Sequence, residues 1–186
     1  MFKSACIGLA VFLFVGLAAA QAPSGNIFLG YSFENTSSSA LGLDLSRLNL
    51  QGWEGSLEGK WLPWIGIVAD FSGHYGSQTF TQPTPVPETI KVTGHQLEVM
   101  FGPRLSIPAG RFTPFAEIMG GVAHINTGGT EPGPSNTSFA TALGGGIDYR
   151  LAGPIDLRVE GDYITTRFFS ATQNNLRLST GVAFRF

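Results

Sequence analysis

Three histidines are the residues of this chain whose chemistry could serve a metal site or a hydrolase, because imidazole is both a metal ligand and a general base near neutral pH. His74, His95 and His124 all fall toward one end of three separate predicted strands. Alternation along those strands places His74 on one face and His95 and His124 on the other. Histidines at such a rim are more often structural, so we predict no catalytic residue, no metal site and no cofactor.

Charged side chains form a second set, and they share one face of the predicted strands. Glu98 and Glu117 could be neighbours on adjacent strands and share a proton, but pairing with Arg158 or Arg177 is the preferred interpretation. Gly120-Gly121 and Gly144-Gly145-Gly146 would leave room for long side chains opposite them. The predicted carboxylate–guanidinium network comprises Glu54, Glu58, Lys60, Asp70, Glu98, Glu117, Asp148, Arg158, Glu160 and Arg177.

These residues are carried by segments in which apolar and polar residues alternate with a period of two, as in a strand with two different faces. The clearest segment is the last, LRLSTGVAFRF. Long polar loops, such as 76–88 and 126–136, alternate with tight turns that contain proline. The eight predicted strands are Asn26–Phe33, Leu50–Trp61, Ile65–Tyr75, Ile90–Leu105, Phe112–Ile125, Thr137–Leu151, Ile155–Phe168 and Leu176–Phe186.

The N-terminus predicts a cleavable export signal. Lys3 precedes an apolar run over 7–17, and three alanines supply a signal-peptidase site after Ala20, or alternatively after Ala22. Residues 1–20 are therefore predicted as signal peptide and residues 21–186 as one domain. The single cysteine, Cys6, lies in the leader, so disulfides and thiolate metal sites are excluded from the mature chain. A formal net charge of −2 gives no basic field for nucleic acid.

Export together with amphipathic strands predicts an all-β, eight-stranded antiparallel up-and-down transmembrane β-barrel. An Arg or Lys facing lipid at mid-membrane would cost roughly 2–4 kcal/mol, so the charged face is expected to point inward and fill the narrow bore. The even strand number puts both termini at the short-turn, periplasmic side. One aromatic girdle is predicted near that side, from Trp53, Trp61, Trp64, Phe112 and Phe115 together with Phe184 and Phe186.

The eight-strand meander and the closing VAFRF resemble the OmpA/OmpX-like outer-membrane β-barrel family over essentially the whole mature chain. The resemblance implies a cell outer-membrane location and contacts with outer-membrane lipids. It also implies recognition of the last strand by the barrel-assembly machinery, through Leu178, Val182, Phe184 and Phe186. OmpA-type proteins carry a peptidoglycan-binding domain after the barrel, and none is expected here.

Three functional classes follow. The favoured one is a structural or surface-interaction barrel with a plugged lumen and long extracellular loops; no ligand is predicted for those loops. The second is a narrow solute channel. The third is an outer-leaflet lipid A-modifying hydrolase, similar to the eight-stranded deacylases of the PagL type with their His/Ser/Glu site, although no serine lies two residues after His124. A soluble lipocalin-like barrel is the alternative fold, and it would reverse the two strand faces.

Overall fold

The computed structural model describes residues 24–36, 48–82, 88–128, 132–168 and 171–186. The predicted signal peptide therefore lies outside the described residues. The described chain forms eight antiparallel strands, each paired with its neighbours in sequence order. They are β1 (Ser24–Thr36), β2 (Leu48–Leu62), β3 (Ile65–Gln82), β4 (Glu88–Ser106), β5 (Phe112–Gly128), β6 (Pro132–Ala152), β7 (Ile155–Phe168) and β8 (Ala171–Arg185).

The first and last strands pair with each other and close the sheet into a barrel. Their register runs from Asn26 opposite Arg185 to Thr36 opposite Asn175. Beyond it, the backbone amide of Gly25 donates to the carbonyl of Phe186 at 3.0 Å, and the amide of Phe186 donates back at 3.1 Å. The predicted eight-stranded closed barrel is thus confirmed. In the part of the chain that the structure describes, no helix is long and apolar enough to cross a membrane.

The two ends of the barrel differ. The short-turn end carries the β2–β3, β4–β5 and β6–β7 connections, and Gly110 and Gly153 occupy two of them with φ of 66° and 54°. A residue with a β-carbon is strained at such φ values. The opposite end, which we call the loop end, carries the other four connections: β1–β2, β3–β4, β5–β6 and β7–β8.

Several strands run further toward the loop end than predicted. β3 and β4 pair as far as Gln82 opposite Glu88, inside the predicted loop 76–88. β5 and β6 reach Gly128 opposite Pro132, inside the predicted loop 126–136, and β8 begins at Ala171. The backbone hydrogen bonds between the strands continue through segments that are rich in polar residues. Apolar alternation indicates the environment of the side chains, so its end does not mark the end of the strand.

The strand faces are divided as in a membrane barrel. Large apolar side chains point outward and are exposed, for example Leu143 (61%) and Phe101 (66%). The polar and charged side chains of the other strand face are buried. This arrangement is the reverse of a soluble barrel, so the lipocalin-like alternative is excluded. The inward faces of β3 to β7 also contain a buried apolar cluster, which comprises Val68, Met100, Met119, Ala123, Ala140, Ala142, Ile164 and Phe168.

Candidate functional site: a charged barrel interior

Arg177 on β8 is the centre of the interior network, and its side chain is fully buried. Nε and Nη2 donate to Asp162 on neighbouring β7, at 3.0 and 2.8 Å. Nη1 donates across the barrel to Asp70 and Ser72 on β3, at 2.9 and 3.0 Å. Glu54 and Glu98 approach the same guanidinium at 3.4 and 3.7 Å. One cation therefore joins strands on opposite sides of the bore.

Arg104 on β4 organises the carboxylates nearer the short-turn end. Its Nε donates to Glu117 on β5 at 2.5 Å. Nη2 lies 3.5 Å from Glu160 on β7, and Nη1 lies 3.7 Å from Glu58 on β2. The side chain is 1% exposed. Because it contacts carboxylates on β2 and β7, it too crosses the interior.

Arg158 on β7 forms the third arginine centre. Its guanidinium donates two hydrogen bonds to the two oxygens of Asp148, at 2.7 and 2.9 Å, in the bidentate geometry that favours Arg over Lys. A third bond, of 3.1 Å, reaches Asn26 on β1. Asn26 donates in turn to Glu58 at 2.5 Å, which connects this centre to that of Arg104.

Phe115 lies between two of these arginines and is not part of the girdle. Its side chain points inward and is 7% exposed, with the guanidinium carbons of Arg104 and Arg158 at 4.3 and 4.7 Å from the ring centroid. Phe115 and Glu117 are two residues apart on β5, so their side chains lie on the same face of the strand. This spacing is the sequence signal for the inward orientation of Phe115. An aromatic face between two cations favours both electrostatically.

The remaining aromatic residues of the predicted girdle all point outward. Trp61, Trp64 and Phe112 lie at the short-turn end with Phe184 and Phe186. Trp53 faces outward as well, but it pairs with Tyr31 and Gly73, about 26 Å along β2 from Trp61 by strand rise. Trp53 therefore lies away from the short-turn end.

The ten side chains predicted for the interior network all belong to the inward face. Nine are buried, and Lys60 is partly exposed beside Glu58 at 3.7 Å. The structure does not make Glu98 and Glu117 neighbours: Glu98 is opposite Ala123, whereas Glu117 is opposite Arg104. The interior also contains charged residues that the predicted network omitted: Glu34, Arg104, Asp156 and Asp162.

Inward-facing glycines make room for this network, as predicted for one of the two glycine runs. A β-carbon on Gly144 would lie 1.7 Å from Oδ1 of Asp162, and one on Gly146 would lie 2.8 Å from the ring of Phe115. The other run differs. A β-carbon on Gly121 would meet the backbone of β4 at 2.0 Å, and Gly120 points outward near Phe139.

A cluster of polar side chains lies above Arg177, toward the loop end. Glu34 accepts hydrogen bonds from Gln96 at 3.0 Å and from Asn175 at 2.7 Å. Gln96 also donates to Glu98 at 3.0 Å, so a single amide bridges two carboxylates. Nδ1 of His74 lies 3.2 Å from Glu34 Oε2.

The order Glu34, His74, Ser32 is that of an acid–imidazole–hydroxyl chain, since His74 Nε2 lies 2.9 Å from Ser32 Oγ. All three side chains have 0% exposure, so the hydroxyl of Ser32 is enclosed within the barrel. The other two histidines point outward near the loop end. Nδ1 of His124 lies 2.8 Å from the hydroxyl of Thr137, and the ring of His95 packs edge-on against Tyr75.

Comparisons with known proteins agree with this architecture. Neisserial surface protein A is 12% identical, with 87% of this chain and 97% of that chain covered and a TM-score of 0.65. OprG from Pseudomonas aeruginosa is 10% identical, with 88% and 96% covered and a TM-score of 0.58. Ail of Yersinia pestis is 15% identical, with 87% and 99% covered and a TM-score of 0.57. At these identities the likeness shows a common fold.

A search of curated proteins gave no match. The family model described as outer membrane protein beta-barrel domain matches residues 7–186, and the OmpA/OmpX-like resemblance is thereby confirmed. Because this match spans nearly the whole chain, the chain belongs to the outer membrane protein beta-barrel domain family and resides in the outer membrane.

Proposed function

We propose that this protein is a structural barrel of the outer membrane whose lumen is closed to solutes and whose loop end interacts with partners at the cell surface. Three buried arginines are the main support for a closed lumen. Arg104, Arg158 and Arg177 are each bound to carboxylates on more than one strand. A solute would have to displace these charge-assisted hydrogen bonds to pass.

The size of the barrel supports the same conclusion. An eight-stranded bore is just wide enough for side chains. Arg177 crosses it from β8 to β3, and Arg104 crosses it from β4 to β7 and β2. Removing one member of a buried ion pair leaves an uncompensated charge and is costly, so the network resists opening.

The length of the hairpins supports a surface role. On β3 the outward apolar residues end at Tyr75, yet pairing with β4 continues to Gln82, about 23 Å further by strand rise. A hydrogen-bonded ribbon of that length extends beyond the apolar band of the barrel. Long loops on a rigid barrel are the usual carriers of binding function.

Planar-bilayer recording tests the closed lumen. Refolded protein is incorporated into bilayers, and heat-modifiable gel mobility of the same preparation establishes that the barrel is closed. We expect no steady unitary openings above the leak of protein-free bilayers. Reproducible unitary openings would overturn the closed lumen and favour the narrow solute channel.

Complementation in the native host separates the structural role from the surface role. We expect deletion of the gene to increase sensitivity to detergent and chelator, and both the wild-type chain and a chain with a shortened β3–β4 hairpin to restore resistance. The shortened chain should lack adhesion to surfaces or cells that the wild type supports. Deletion without effect on either property would contradict the proposal.

A further inference from the structure

The geometry points to a divalent transition-metal site inside the loop end of the barrel, formed by Glu34, His74 and Glu98, with zinc as the ion that it fits. One ligand atom from each of the three lies within 4.8 Å of the others, and all three residues are buried. Zinc binds imidazole nitrogen and carboxylate oxygen in four-coordinate sites, and a water would complete the set.

The imidazole of His74 is held in the orientation that a metal ligand needs. Nε2 contacts the hydroxyl of Ser32 at 2.9 Å, whereas Nδ1 faces Glu34 and forms no hydrogen bond, although it is fully buried. In metal sites the second ring nitrogen of a ligating histidine is typically fixed by such a partner. Ser32 is thus the positioning residue, and it contacts Ser179 at 3.0 Å in turn.

The charge balance of the interior favours a cation at this place. Among the described residues ten carboxylates are buried but only three arginines. Arg177, the nearest, is engaged by Asp162 and Asp70 and reaches only Glu98 of the site, at 3.7 Å. Glu34 has hydrogen bonds from the side chains of Gln96, Asn175 and Thr36, which are uncharged.

The other two carboxylate groups of suitable spacing are less suited to a metal. One comprises Glu54, Asp70 and Glu160, and the other comprises Glu117, Glu160 and Asp162. Arginine already lies among them, since Arg177 binds Asp70 and Asp162 and Arg104 binds Glu117. Neither group contains an imidazole.

Space for entry exists on the loop side of the site. Gly94 faces inward on β4, two residues closer to the loop end than Gln96, and no atom of the described residues lies within 4 Å of the position that its β-carbon would take. The buried side chains at that level include the polar Thr36 and Gln173. A hydrated ion that enters from the loop end therefore meets polar groups before it reaches Glu34.

The chain offers a background in which His74 is the only imidazole. The variant His95→Gln/His124→Gln removes both outward histidines, whose side chains are exposed on the outer face of the barrel. Calorimetric titration of this refolded variant with Zn²⁺ in detergent should give about one ion per chain, with the affinity of the wild type. Titration with Cu²⁺ should give an electron paramagnetic resonance spectrum with nitrogen coupling from one imidazole.

Two further substitutions in this background test the ligands. Glu98→Gln and His74→Gln should each weaken Zn²⁺ binding by at least about tenfold, and Glu160→Gln is the matched control that should leave the affinity unchanged. Heat-modifiable gel mobility establishes that each variant is closed. Absence of saturable Zn²⁺ binding by the double variant, absence of nitrogen coupling in its Cu²⁺ spectrum, or full affinity after Glu98→Gln would each overturn the site. The Cu²⁺ spectrum decides the role of His74 even where His74→Gln fails to fold.

Discussion

Arg177 and Asp162 are directly opposite each other on β8 and β7, and two nitrogens of the guanidinium donate to the same carboxylate oxygen, at 3.0 and 2.8 Å. The third nitrogen of that guanidinium reaches Asp70 on β3 at 2.9 Å. The pair is therefore both a cross-strand contact and one end of a bridge across the lumen. A structure of this kind closes the barrel internally, while large apolar side chains such as Leu143 and Phe101 occupy the outer face.

Arg177→Met is expected to destabilise the barrel by about 3–5 kcal/mol, because it leaves buried carboxylates without their cation. Urea unfolding of the refolded protein, followed by tryptophan fluorescence, measures this free energy. Arg111→Met is the control, since Arg111 is exposed in the β4–β5 turn, and we expect no change there. Equal stability of the two variants would show that the interior network contributes little.

Gly144→Ala tests whether the glycines of β6 make room for the network. The added β-carbon would lie 1.7 Å from Asp162 Oδ1 and 2.9 Å from the backbone oxygen of Gly161, so Asp162 must move away from Arg177. We expect a loss of about 1–3 kcal/mol in urea unfolding. Gly120→Ala on the neighbouring strand is the control, because its new atom would be 3.6 Å from Phe139 in ordinary contact. Equal stability of Gly144→Ala and the wild type would contradict the spatial role.

The fold could be predicted from the sequence because a barrel imposes one rule on every strand. A charged side chain has a place inside and is costly outside, so Glu58, Asp148 and Arg158 fixed the orientation of their strands. Glu34 is not part of the predicted network, because the apolar alternation of the first strand ends at Phe33 and the predicted strand ends with it. The structure extends β1 to Thr36 and turns Glu34 inward.

Partners across the bore could not be predicted in the same way. Neighbours in adjacent strands follow from hairpin register, and Arg104 opposite Glu117 is such a pair. The contact of Arg177 with Asp70 joins strands that are not adjacent, and it depends on the stagger and tilt of the closed barrel. Those quantities emerge only when β1 meets β8, which no local pattern specifies.

Phe115 offers a test of the aromatic contact with two cations. Phe115→Leu should cost about 2 kcal/mol in urea unfolding, since the two guanidinium groups lose the negative face of the ring. Phe112→Leu, at an outward position of the same strand, is the matched control and should have a smaller effect. Stepwise fluorination of Phe115 should lower the stability progressively, because fluorine weakens the negative face with little change in size. An unchanged free energy of unfolding across the fluorinated series would mean that the ring acts only by filling space.

The last strand supplies the remaining prediction, which concerns assembly. Leu178, Val182 and Phe184 on β8 form an outward row that continues to Phe186, the residue after the strand, and Phe186 is also bound through its backbone to Gly25. If the assembly machinery recognises this row, Phe186→Ala should reduce the amount of folded barrel in cells several-fold, as measured by heat-modifiable mobility of outer-membrane fractions. The same variant should fold unaided into short-chain lipid vesicles at nearly the wild-type rate, because the backbone bonds with Gly25 do not need the ring. Leu157→Ala, an outward substitution on β7, is the control for loss of apolar surface. An equal defect in vesicles and in cells would assign Phe186 to barrel stability and not to recognition.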